Sequence, residues 1–200
     1  MNDNTTDELM RATYTALCKH GYAALRMQDI ANESSKSKAT LHYHYDTKHD
    51  LLHAFLEYLY ESFAERIETL EGETPTERLI AFIEIVLTPR DRDKHQEFQT
   101  AILEIKAQGP YDETYRTELK KFDQLLSNRL HSILQDGQEQ EVFRRDINAD
   151  DTADFIVTVL NGAQTRYVAV GHPVDRTRQE LIDYIVRQLL IDDTEEVVAE

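Results

Sequence analysis

Apolar residues in this chain recur at spacings of three and four, and no stretch alternates apolar with polar between turn signals. The first spacing lines one face of a helix, whereas alternation would line one face of a strand. The chain is therefore expected to be all-α. Leu9, Ala12, Ala16 and Leu17 open the pattern, with Thr5 or Thr6 as a cap and Gly21 just past the end, where a residue that tolerates positive φ is favoured. Leu51, Leu52, Phe55, Leu59, Phe63 and Ile67 mark a long helix to about Leu70, begun by Thr47 and Asp50 at capping-box spacing. Thr74-Pro75-Thr76-Glu77 starts another, which ends near Thr88-Pro89. A helix over 93–108 carries Phe98, Ile102 and Ile105 and stops at Gly109-Pro110, and one over 111–136 carries Tyr115, Leu119, Phe122, Leu126 and Leu130. Val142 and Phe143 are expected to pin the connector 137–148, before closing helices over 150–170 and 175–191. About nine helices result, with prolines and glycines at the breaks rather than inside elements.

Between the first and the long helix lies Arg26 to Lys48, which reads as two short helices joined by a tight turn. Met27, Ile30 and Ala31 share one face of a helix from Met27 to about Glu33. Ser34, Ser35 and Ser37 suit the turn, because their hydroxyls compete for backbone groups. The second helix runs from about Lys38 to Tyr45, with Leu41 and Tyr45 an inward i,i+4 pair. Its other face carries Lys38, Thr40, His42, Tyr43 and His44, which are donors or stackers and never acids. A helix with that face suits the DNA major groove.

A net charge of −16 argues against a nucleic-acid binder until its distribution is counted. Met1–Asp50 carries only −1 and the other 150 residues −15, while Lys19–Lys48 holds five basic residues against three acidic ones. The acidity belongs to the body, and the two-helix unit is spared it. No segment is long and apolar enough to span a bilayer, and no leader opens the chain, so a soluble cytoplasmic protein is expected. The single cysteine, Cys18, fits a reducing compartment and reads as a small buried hydrophobe. No catalytic constellation or phosphate loop is present, so no enzyme and no cofactor are expected.

Gln28-Asp29-Ile30-Ala31, then Lys38-Ala39-Thr40-Leu41-His42-Tyr43-His44-Tyr45, then Lys48 and Leu51-Leu52 make an ordered pattern that resembles the TetR family of one-component transcriptional regulators, AcrR-like in type. The resemblance covers about Leu9 to Leu59. It departs where Ser35 and Lys36 replace the family's glycine and valine in the turn, and where His42 and Tyr45 replace tyrosine and phenylalanine. The lost glycine is expected to strain the turn, and Lys36 adds a charge for a phosphate. The resemblance implies a helix-turn-helix head over 1–46 and a ligand-binding and dimerisation body over 47–200. It implies a homodimer on a palindromic operator in double-stranded DNA, most often a repressor, released by an unidentified small-molecule effector. In that setting Lys38, Thr40 and His44 are assigned to base edges or adjacent phosphates. Ser37, His42, Tyr43, Lys48 and Gln28 are assigned to phosphate, with Lys48 at the positive end of the long helix. The alternative from another class is an acidic helical interaction module with no operator of its own.

The body offers less. Phe82, Phe98, Phe122, Arg166 and Tyr167 are the effector-pocket candidates on inward faces, though core packing is the stronger reading of each aromatic. The last two helices have faces broad enough to pair with a copy of themselves, with Asn161-Gly162-Ala163 allowing close approach. His49 and His53 are spaced i,i+4 with Glu57 four further on, a zinc-compatible spacing that needs another ligand from elsewhere, so no metal is assigned. His42 and His44 point to different sides of their helix and share no metal. The spread of acid over the body fits life in high salt, in which counterion release adds little to DNA affinity. A pocket for lipophilic cations is the second explanation.

Overall fold

The computed structural model describes residues 3–88 and 95–191. Asp192 to Glu200, expected to form a frayed acidic tail, and Pro89 lie outside the described residues. Nine helices are described: α1 (Asp3–Ala24), α2 (Met27–Asn32), α3 (Lys38–His44), α4 (Lys48–Glu68), α5 (Pro75–Leu87), α6 (His95–Lys106), α7 (Glu113–Glu139), α8 (Ala149–Val170) and α9 (Val174–Leu189). The fold is all-α. Two compact units form, one from α1 to most of α4 with α6 and α7 as far as Phe122, the other from the end of α4, α5, the rest of α7, α8 and α9.

In the first unit, Leu9, Met10, Ala16, Leu17, Ile30, Leu41, Leu51, Leu52, Phe55 and Ile105 make one continuous apolar core. Thr13, buried among them, donates its hydroxyl to the Leu9 carbonyl at 2.8 Å and so leaves no orphaned polar group. α1 changes direction at Gly21, whose backbone sits at φ 67, ψ 171. A Cβ there would also come within 3.1 Å of the Glu104 carboxylate, which accepts the Tyr22 amide at 2.5 Å. Glycine is thus required twice, for conformation and for space. Thr47 and Asp50 form the expected reciprocal cap: the Asp50 carboxylate accepts the Thr47 amide at 3.1 Å and the Asp50 amide donates to the Thr47 hydroxyl at 3.1 Å.

In the second unit, Thr74 and Glu77 cap α5 in the same way, with Pro75 in the first turn. Asn148 caps α8 by accepting the amides of Asp150 and Asp151. Two glycines contradict the expectation that all lie at breaks, since Gly137 falls inside α7 and Gly162 inside α8. Gly137 leaves the space that the buried Phe143 ring fills, for a Cβ would lie 2.0 Å from that ring's Cδ2. The connector is pinned as expected, by a means the periodicity did not reveal. Phe143 and Leu190 form an isolated antiparallel bridge, with Arg144 donating its amide to the Leu189 carbonyl at 2.8 Å.

Candidate nucleic-acid interface

α3 is only seven residues long, too short to persist by backbone hydrogen bonding alone. Two things hold it. Leu41 is fully buried and Tyr45 nearly so, which seats its inner face in the core of the first unit. Burial also raises the Tyr45 phenol above its ordinary pKa. At the N-terminus the Ser37 hydroxyl accepts the Thr40 amide at 3.1 Å and contacts the Thr40 hydroxyl at 3.0 Å, which satisfies a donor that the helix leaves open. α2 is fixed by Ile30, Met27 and Ala31 below and by the Asp29 carboxylate, which accepts the Arg26 amide at 2.9 Å.

The turn from Glu33 to Ser37 contains no residue at positive φ; among described non-glycine residues only Glu141 has one. The strain expected from losing a glycine is therefore absent. The neighbouring Ser34 holds the turn by hydrogen bonds, its hydroxyl donating to the Ala31 carbonyl at 3.2 Å and accepting the Lys36 amide at 3.1 Å. Glu8 on α1 fastens the turn from below, accepting the Ser35 amide at 2.7 Å and pairing with Lys36 at 3.5 Å. Those bonds from Ser35, and the nearby Lys36 charge, hold the Glu8 carboxyl below its ordinary pKa.

The sequence-predicted residues do not all share one role. Lys38, His42 and Tyr43 point outward, Tyr43 at 85% exposure, while Thr40 and His44 are half-exposed beside them. Gln28 is exposed on α2 and donates its amide to Asn32 at 2.9 Å. Lys36 is turned back to Glu8. Lys48 donates to the Tyr22 carbonyl at 3.0 Å, and its ammonium lies 5.0 Å from the centre of the Tyr22 ring. Lys19 pairs with Glu33 at 2.7 Å. Of the five basic residues that made this stretch net positive, three are thus engaged within the head, and Lys38 and Arg26 remain exposed without an ion pair among the described residues.

The effector candidates are not gathered. Phe82 is fully buried in the core of the second unit, and Tyr167 is half-buried in it. Arg166 is exposed, so the expectation of an inward side chain fails for it. Phe98 stacks on Tyr14 at 4.7 Å and Phe122 packs against Tyr60 and Phe63, all in the first unit. Cys18 is half-buried rather than buried.

The α4 histidines take separate partners on and just before α7. His49 Nε2 lies 2.8 Å from the Asp112 carboxylate, and His53 Nε2 lies 3.2 Å from Glu118. Burial alone would raise Asp112, but the Tyr115 amide, His49 and the Thr114 amide more than offset it and leave its pKa lowered. Glu118 was not singled out by sequence reasoning, although a signal was present: it stands three residues from Tyr115 and four from Phe122, on the face that turns inward.

Comparison with known proteins agrees with this geometry. Residues 9–55 match the family model described as bacterial regulatory proteins, tetR family, and residues 75–190 match that of the BetI-type transcriptional repressor C-terminal domain. A TetR transcription regulator from Haloarcula marismortui is 35% identical with a TM-score of 0.85, covering 93% of this chain and 98% of its own. A transcriptional regulator from Saccharomonospora viridis, solved in complex with choline, is 24% identical with a TM-score of 0.83 over 95% of this chain and 100% of its own, a likeness of fold. The transcriptional repressor NicS of Pseudomonas putida is 23% identical over 150 residues, which are 72% of this chain and 68% of the relative. With a helix-turn-helix head and a matched body, the chain belongs to the TetR family of DNA-binding transcriptional regulators, which are not enzymes.

Proposed function

We propose that two copies of this chain pair through α8 and α9 and set their α3 helices in successive major-groove half-sites of a palindromic operator, repressing transcription until a small molecule releases them. The observation that carries this reading is the outer face of α3. Lys38, His42 and Tyr43 stand exposed on a helix whose inner face and N-terminus are locked, so they can meet bases and phosphates without reorganisation. Lys38, Thr40 and His44 then reach bases or adjacent phosphates, with Ser37, His42, Tyr43 and Gln28 towards phosphate. Lys36 and Lys48 act first as struts of the head, given their partners Glu8 and Tyr22. The functional division falls at 1–46 for reading DNA and 47–200 for pairing and response.

The pairing is supported by the outer face of α8, where Phe155, Thr158, Gly162, Thr165 and Ala169 are exposed and uncharged in a chain of 38 acidic residues. The Phe155 ring lies 6.1 Å from Tyr184 of α9, also exposed, so the patch spans both helices. For the effector, the choline bound by the Saccharomonospora viridis regulator makes quaternary ammonium compounds the first class to screen. The net charge of −16 suits a high-salt cytoplasm, in keeping with a relative from Haloarcula marismortui. Footprinting on the DNA upstream of the chain's own gene tests the reading. Protection of two half-sites about 34–36 Å apart is expected, and it should vanish in Lys38→Glu with His44→Ala. Protection that survives both substitutions would place the reading face elsewhere.

A further inference from the structure

Among the described residues Glu118 is the one charged side chain buried to 2% exposure. A carboxylate taken out of water needs a compensating charge or a full set of hydrogen bonds. Here Lys121, one turn along α7, donates to both oxygens at 2.8 and 2.9 Å. Across from them His53 Nε2 stands 3.2 Å from Glu118 and 3.9 Å from Glu57, its i+4 neighbour on α4. One ligand atom from each of His53, Glu57 and Glu118 lies within 4.8 Å of the other two.

We propose that His53, Glu57 and Glu118 form a binding site for a divalent transition-metal ion of the zinc type, bridging α4 and α7. Metal–ligand distances of about 2.0–2.2 Å place tetrahedral ligand atoms roughly 3.2–3.6 Å apart. His53 and Glu118 already meet that separation, and Glu57, half-exposed on its helix, closes the remaining gap by a side-chain rotation. Two carboxylates and an imidazole favour a first-row ion over magnesium or calcium, which prefer all-oxygen shells. Three protein ligands leave the fourth position to water. The ammonium of Lys121 holds the cation's place and is 42% exposed at its side chain, so it can swing to solvent when the ion enters. The site lies within one compact unit and does not presuppose the operator reading.

The test is zinc titration of the chelator-stripped full chain in about 0.5 M potassium chloride, which screens loose binding to the acidic surface, with competition against a chromophoric chelator. Cobalt substitution supplies visible bands that report coordination. One zinc per chain is expected. His53→Ala and Glu118→Gln should each weaken it by roughly tenfold or more, with Glu61→Gln at an exposed position of α4 as the unaffected control. Lys121→Met should tighten binding, a gain that a folding defect cannot imitate. Absence of a stoichiometric zinc, or zinc binding that is indifferent to His53→Ala and Lys121→Met, would overturn the assignment.

Discussion

Ser37 was expected to touch phosphate, yet its hydroxyl accepts the Thr40 amide at 3.1 Å as the N-cap of α3. The two roles separate by substitution. Replacing a capping serine by alanine costs about 1 kcal/mol, whereas glycine costs only a few tenths. If frayed α3 must be re-formed at each half-site, alanine weakens operator binding about fivefold per half-site and roughly thirtyfold for a dimer on two, since 1.4 kcal/mol is tenfold. Glycine should then cost less than about threefold. A lost phosphate donor instead penalises alanine and glycine alike, because neither carries a hydroxyl. Fluorescence anisotropy on an operator duplex, beside urea midpoints for each variant at one protomer concentration, measures both quantities. Equal losses of affinity for Ser37→Ala and Ser37→Gly, with unchanged stability, would refute the capping account and return Ser37 to the phosphate.

Three further outcomes follow from named contacts. Gly137→Ala, which in an exposed helix would stabilise by about 1 kcal/mol, should here destabilise by roughly 1–3 kcal/mol, because its Cβ lands on the Phe143 ring; a raised urea midpoint would show that the ring is not seated there. Gly162→Glu meets nothing within 4 Å of a Cβ in its own chain, so the fold should persist while sedimentation shifts from dimer to monomer, and a retained dimer would move the interface away from α8. Asp112 titrates below its ordinary value in the folded chain, so its contribution is fully present above the unfolded carboxylate value near 4 and disappears as pH falls through the lowered one. Asp112→Asn should therefore lose less stability than the parent as pH falls below about 4, and parallel acid profiles would contradict the shift.

The helices were legible wherever burial is one-sided. Leu9, Ala12, Ala16 and Leu17 are all buried, and the caps at Thr47 and Thr74 stand at the expected residues, because capping chemistry is local and needs no knowledge of the rest of the chain. Gly137 was misread for the opposite reason. A glycine in a helix is read locally as a break, but here it serves a ring six residues ahead in sequence that folds back on it. Arg166 shows the limit of periodicity in a helix such as α8, whose apolar residues run round more than one face, so that inward and outward cannot be told apart without the partners. Glu118 is subtler, since an acid in an apolar register looks like an error of phase until His53 and Lys121 are brought to it by tertiary packing.

The charge count is where structure changes the functional argument most. Five basic residues between Lys19 and Lys48 suggested an electrostatic footprint for DNA, but Lys19, Lys36 and Lys48 hold the head to itself through Glu33, Glu8 and Tyr22. Each phosphate neutralised by a cation contributes a slope of about −0.9 to the logarithmic salt dependence of affinity. A half-site served by Lys38 and Arg26 alone thus gives a dimer slope near −4, well short of the roughly −10 that a heavily cationic binder reaches. Such a face loses less than a heavily cationic one as salt rises, and in the proposed complex more of its affinity comes from the polar and aromatic side chains of α3. Tyr43 and His42, exposed on the outer face of α3, are the groups placed to supply it. A measured slope steeper than about −5 would mean that Lys36 or Lys48 leaves its internal partner to reach the phosphates.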